Sequence, residues 1–167
     1  MRAGLLGRKL GHSFSPQIHA RLGDYSYELF EVEPDALDNF IRGDRFDAMN
    51  VTIPYKKDVI PYCAELSDAA RAIGSVNTIV RRADGTLFGD NTDAAGFTAM
   101  LKRLNLDPQG KKALVLGSGG ASLTVCHVLE KLGADVVAIS RSGEDNYENL
   151  DRHKDARILV NTTPVGM

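Results

Sequence analysis

No apolar run in this 167-residue sequence reaches the roughly 20 residues that a membrane-spanning helix needs. Met1-Arg2 leads straight into a strand-like segment, not a secretory signal, and together these absences predict a cytoplasmic protein. Only two cysteines are present, Cys63 and Cys126, with neither CxxC spacing nor an obvious thiolate-stabilising neighbour. Both read as small buried hydrophobes, which excludes a disulfide framework and a cysteine nucleophile. The four histidines form no pair at helical ligand spacing, so a metal centre is not expected. A net charge of −2 and a pI near 6.1, with the basic pairs Lys56-Lys57, Arg81-Arg82 and Lys111-Lys112 isolated from one another, exclude nucleic acid or an anionic membrane as the main partner. Internal repeats and low-complexity stretches are absent. What is there is ordinary globular material, 43% hydrophobic and 25% charged, enough for one large or two small cores.

The layout alternates strand and helix. Gly4 to Leu6 reads as a strand and Pro16 to Leu22 as a helix capped by Ser15; Tyr25 to Val32 is a strand, Pro34 to Ile41 a helix, and Phe46 to Val51 a strand. Helical patches follow over Lys57 to Cys63 and Ser67 to Ala72. Ser75 to Arg81 and Thr86 to Phe88 then flank a turn at Ala83-Asp84-Gly85. Thr92 to Leu104 reads as a longer helix and Leu106 to Gly110 as a hinge. After it come a strand at Ala113 to Leu116, a helix at Ala121 to Leu132 closed by Gly133, and strands at Val136 to Ser140 and Ile158 to Val160. The order predicts an α/β protein with mainly parallel sheet, in two domains, 1–105 and 106–167.

Asn50-Val51-Thr52-Ile53-Pro54-Tyr55-Lys56 delivers a lysine amine beside small polar side chains at a strand's mouth, because Pro54 has no amide hydrogen to continue a ladder. Binding residues gather at such places in α/β folds, and a lysine there can move protons. Further hydroxyls and amides cluster near strand ends: Ser13, Ser15, Asn50, Thr52, Asn77 and Asn91-Thr92-Asp93. Each has a local explanation, since Ser15 can cap a helix, Asn91 or Thr92 can cap the next, and Asn77 can sit in a turn. Taken together with Lys56 they suit a small hydroxylated ring.

Leu114 to Ser122 passes from strand through Gly117-Ser118-Gly119-Gly120 into helix. Glycines there allow a tight turn and let backbone approach a pyrophosphate at a helix N-terminus. Ser122 stands where the third glycine of the strict fingerprint would be, so this is a variant form. After the next strand come Ser140-Arg141-Ser142 where an NAD site would carry a carboxylate; a guanidinium flanked by hydroxyls favours the 2′-phosphate of NADP. A polyol or hydroxy-acid dehydrogenase is the expected class.

His12-Ser13-Phe14-Ser15-Pro16, Asn50 to Lys56, Ser75-Val76-Asn77-Thr78, Gly89 to Asp93, Gly117 to Ser122 and Asn161 to Met167 occur in the order seen in shikimate dehydrogenases, and across the whole chain the sequence resembles that family. The resemblance implies NADP-dependent, reversible reduction of 3-dehydroshikimate to shikimate, a step toward chorismate and the aromatic amino acids. It implies substrate contacts from Ser13, Ser15, Thr52, Asn77 and Asp93, a catalytic pair Lys56 and Asp93, and cofactor contacts from Gly117, Ser118, Gly119, Gly120, Ala121, Ser122, Ser140, Arg141, Ser142 and Thr162. Lys57 is the rival proton donor, but the motif aligns Lys56. A small-molecule substrate, no nucleic acid or membrane partner, and a monomer or homodimer are expected. Family members continue past the point matched by Met167, so the chain reads as truncated in the C-terminal half. Ser118, Leu123 and Ser140-Arg141-Ser142 stand where the family often has alanine, arginine and Asn-Arg-Thr. A quinate/shikimate paralogue and a non-catalytic shikimate-binding module are the alternatives.

Overall fold

The computed structural model describes residues 1–165, which divide between two compact units, Met1–Asn91 and Thr92–Met167. In the first, β1 (Arg2–Gly7), α1 (Ser15–His19), β2 (Ser26–Glu31), α2 (Leu37–Arg42), β3 (Ala48–Val51), β4 (Glu65–Leu66), α3 (Asp68–Ile73), β5 (Thr78–Arg81) and β6 (Leu87–Asp90) follow in order. The six strands form one sheet in the order β2-β1-β3-β5-β6-β4. The pairs β1–β2, β1–β3 and β4–β6 are parallel, while β3–β5 and β5–β6 are antiparallel. The second unit holds α4 (Asp93–Arg103), β7 (Lys112–Leu116), α5 (Gly120–Lys131), β8 (Asp135–Ile139) and β9 (Ile158–Asn161), with an all-parallel sheet ordered β8-β7-β9. The expected α/β class with mostly parallel sheet is what is seen.

Packing groups α4 with the second unit, where it lies against α5 and buries Ala94 and Leu101; the sequence reading instead ended the first domain at 105. Other differences are local. The residue preceding α1 is Phe14, and Ser15 sits inside the helix without capping it; the Ser13 hydroxyl accepts from the Ser15 amide at 3.2 Å instead. The patch expected to be helical from Lys57 is mostly turn, with a 3-10 segment at Ile60–Tyr62 where Pro61 interrupts the donor ladder. The strand after Ser75 begins only at Thr78, because the Val76 amide donates to Lys56 O (2.8 Å) and the Asn77 amide to Asp90 O (3.0 Å) outside the ladder. The two-residue β4 and a 3-10 turn at Leu150–His153 are too short to carry a periodic signal.

The core of the first unit lies on one face of its sheet. Leu6, Phe30, Met49, Val51, Ile79 and Leu87 pack there with Leu37, Phe40 and Ile41 of α2. Both cysteines are free and half-buried, and burial pushes the Cys63 thiol up to about 11 and raises Cys126, as inert packing thiols should behave.

One residue fastens α3 to the sheet. The Ser67 hydroxyl accepts from the Ala70 amide at 3.0 Å, capping α3, and donates to the Asp90 carboxylate at 2.5 Å at the end of β6. Ser67→Ala removes both bonds, and we expect a loss of about 1–2 kcal/mol, read as a lower urea midpoint at unchanged slope.

Candidate functional site

Period-two alternation puts the other face of the first sheet to a different use. In the registers Ala3↔Tyr27, Leu5↔Asn50 and Asn50↔Thr78, Tyr27, Asn50 and Thr78 stand opposite the core residues of their own strands. They are joined. The Tyr27 hydroxyl donates to Asn50 Oδ1 at 2.8 Å, Asn50 Nδ2 donates to Thr78 Oγ1 at 3.4 Å, and the Thr78 hydroxyl donates to Asn77 Oδ1 at 3.0 Å. Burial raises the Tyr27 phenol above its ordinary value, with the nearby Ser15 hydroxyl working against that rise. Tyr27 is therefore a neutral hydroxyl, and its proton is given to Asn50. His19 of α1 stacks on the Tyr27 ring, centroids 3.8 Å apart, and its Nδ1 meets the Tyr25 hydroxyl at 2.6 Å.

Of the residues expected to take substrate, Ser13, Ser15, Thr52, Asn77 and Lys56 all lie in this unit. Asn77 ends that hydrogen-bond chain, while Ser13 and Ser15 are joined to each other at the start of α1. The Thr52 amide donates to Leu6 O (2.9 Å) and the Val51 amide to Asn77 O (2.7 Å), so backbone holds the mouth of β3 between β1 and the segment before β5. Val51, Tyr55 and Val59 recur at spacing four and are buried, with the Tyr55 hydroxyl donating to Val32 O. That anchor leaves Lys56 half-buried and Lys57 exposed. Lys56 is thus the less exposed of the two lysines, and its carbonyl accepts from the Val76 amide. Asn91 is not the residue that caps α4; its side-chain Nδ2 donates to Ser75 O at 2.9 Å. Asp93 belongs to the other unit, as the half-buried first residue of α4.

In the second unit the glycine turn has the shape a dinucleotide requires. Gly117 has φ +122, and a Cβ built on it would lie 2.5 Å from Thr162 Oγ1; glycine alone fits there. Thr162 is fixed because its amide and hydroxyl both donate to Leu116 O, at 2.9 and 2.6 Å. Ser122, at the third glycine position, is buried and donates to Gly117 O at 2.7 Å. The serine thereby closes the turn without needing a third glycine. Nothing lies within 4 Å of a Cβ built on Gly119, and Ser118, Gly119 and Ala121 are exposed, so the space over the start of the twelve-residue α5 is open to an anion. Beyond β8, Ser140 is half-buried, and Arg141 and Ser142 are exposed. Gly166 and Met167, the end of the last motif, lie outside the described residues. Among the described residues no group of acidic, histidine and cysteine side chains could hold a metal, and no helix is long and apolar enough to cross a membrane.

A family model described as the shikimate dehydrogenase substrate binding domain matches residues 5–79. A curated relative from Clostridium perfringens, shikimate dehydrogenase (NADP(+)), is 38% identical over 98% of this chain and 68% of its own length. The chain belongs to the shikimate dehydrogenase family. Among solved structures, a shikimate dehydrogenase from Peptoclostridium difficile superposes with a TM-score of 0.90 at 38% identity, over 100% of this chain and 68% of that one. The Thermus thermophilus shikimate dehydrogenase in complex with NADP(H) and shikimate superposes with a TM-score of 0.85 at 34% identity, over 98% of this chain and 68% of that one.

Within this family member, sequence reasoning gave no site role to Tyr27 and Thr78 and left Asn50 as one amide in a cluster. The available signal was alternation: Tyr27 falls on the face opposite Phe30, and Asn50 on the face opposite Met49 and Val51. Two outcomes follow. Tyr27→Phe should raise KM for shikimate on the order of fivefold with kcat little changed, because a net hydrogen bond carries about 1 kcal/mol, as steady-state kinetics would read. Gly117→Ala, forced toward Thr162 at a left-handed φ, should weaken NADP+ binding at least about tenfold while leaving shikimate binding intact, as separate calorimetric titrations would tell.

Proposed function

We propose that this chain interconverts 3-dehydroshikimate and shikimate with NADP. One observation carries the reading: a hydroxyl- and amide-lined sheet face and an open glycine turn occur in a single chain that matches an NADP-dependent shikimate dehydrogenase over 98% of its length. In this proposal residues 1–105 serve as the substrate domain, with the closing helix α4 packed against α5, and 106–167 as the cofactor domain, in a cytoplasmic monomer or homodimer.

Ser13 and Ser15, next to each other at the start of α1, offer hydroxyl donors to the substrate carboxylate. Thr52, Asn77 and Asp93 address the ring hydroxyls. Gly117 to Ser122 accept the pyrophosphate on backbone amides, with Thr162 bracing the turn, and Ser140, Arg141 and Ser142 take the 2′-phosphate. The bound nicotinamide would supply a hydride equivalent to the carbonyl carbon. Charge then develops on the former carbonyl oxygen, where the Lys56 ammonium stabilises it and delivers a proton. Asp93 orients the amine and the hydroxyl, and in the oxidative direction Lys56 takes the proton back.

The test is shikimate-dependent NADPH formation by the purified chain, followed by absorbance, with NAD and quinate run in parallel. Turnover with shikimate and NADP is the expected result; shikimate binding without turnover would replace this reading with a binding module. Lys56→Ala should lower kcat roughly 10²- to 10⁴-fold, the range for a lost acid–base group, with shikimate affinity within a few-fold. Unchanged kcat would remove Lys56 from the chemistry, and Lys57→Ala in parallel should behave as wild type.

A further inference from the structure

The 2′-phosphate segment has an electrostatic problem that the fold addresses locally. Glu144 and Asp145 follow Arg141 within four residues, and two carboxylates near a phosphate dianion oppose its binding. Asp145, however, is not left to act as a free charge. Its Oδ1 accepts from Nε2 of the buried His153 at 2.8 Å, while its own backbone carbonyl accepts from the Ser140 amide at 3.2 Å. One residue thus ties the first position of the phosphate segment to a buried ring.

The rest of the loop is knitted to that tie. A Cβ built on Gly143 would sit 2.7 Å from Ser140 Oγ and 3.1 Å from Asp145 O, so the turn from Ser140 to Asp145 is tight. Asn149 Nδ2 donates to Glu144 O at 2.8 Å, and the Asn146 amide donates to Asn149 Oδ1 at 2.9 Å. His153 ends the 3-10 turn Leu150–His153; four residues on, the Arg157 amide donates to Lys112 O at 2.9 Å, leading into β9. Among the described residues the ring's Nδ1 has no partner, so Asp145 supplies the polar contact that fixes His153.

Resting on the cofactor reading above, we propose that Asp145 and His153 are positioning residues, which hold Ser140, Arg141 and Ser142 in the conformation that takes a 2′-phosphate. Neither touches the cofactor. They act through the backbone of Ser140, whose amide donates to the Asp145 carbonyl.

The test compares 2′,5′-ADP with 5′-AMP by calorimetric titration of the whole chain, because the two ligands differ only in the 2′-phosphate. Wild type should prefer 2′,5′-ADP. His153→Ala and Asp145→Ala should each cut that preference about tenfold, the scale of a lost charge-assisted contact, while 5′-AMP affinity holds. Asp145→Asn keeps an acceptor for the ring and removes the charge, so it should retain or increase the preference; this rescue separates positioning from general damage. Asp145 lies on a surface loop, so its variants remain informative if His153→Ala does not fold. A preserved preference in His153→Ala or Asp145→Ala, or a parallel loss of both ligands, overturns the proposal alone. A wild type that does not distinguish the two ligands overturns the NADP reading and the proposal together.

Discussion

The register of β3 between β1 and β5 is the constraint on which the first unit depends. With Leu5 opposite Asn50 and Asn50 opposite Thr78, the alternate residues Leu6, Met49, Val51 and Ile79 fall on the core face. A shift of one residue would exchange the faces, burying Asn50 and Thr78 and exposing Met49 and Ile79. Burial of each of those apolar side chains is worth roughly 1.5–3 kcal/mol, so the core enforces the register. The polar face is then a consequence: the same apolar burial that stabilises the sheet presents Tyr27, Asn50 and Thr78 together on its other side.

That polar face is satisfied before any ligand arrives. Tyr27, Asn50, Thr78 and Asn77 share hydrogen bonds in sequence, which fixes their rotamers and spares the ligand the entropic cost of ordering them. The binding energy of a hydroxylated ring is correspondingly modest per contact, since each new bond replaces one already made to protein or water. Selectivity comes from the fixed spacing of donors and acceptors, because a ring whose hydroxyls are misplaced breaks the existing chain without completing a new one.

Much of this was legible in the sequence, for identifiable reasons. Strands and helices with clear periodicity were found, as was the Asn50 to Lys56 heptad, because Pro54 marks a strand's end by covalent structure alone. The glycine turn was legible because only a few residues can adopt its backbone geometry. The hydrogen-bond chain through Tyr27 was not, since it links residues 27, 50 and 78, which meet only once the register is set. Ser15 misled for a related reason: a serine before a proline reads as a cap, yet here the Ser13 hydroxyl takes the Ser15 amide. Ser122 read as a departure, and its meaning lies in a bond to Gly117 O that no local pattern announces.

On the proposed reading the two units would bind by different means. The first unit would meet its ligand with side chains that neighbouring hydrogen bonds hold in place. In the second unit the glycine turn presents backbone amides, and side chains matter chiefly where they would obstruct the turn, as at Gly117, or brace it, as at Thr162 and Ser122. Ser118 is exposed beside that turn and is free to differ as long as the backbone path is kept. Leu123, which stands where the family often carries a positive charge, has no structural explanation, whereas Ser118 is thus a departure that the turn accommodates.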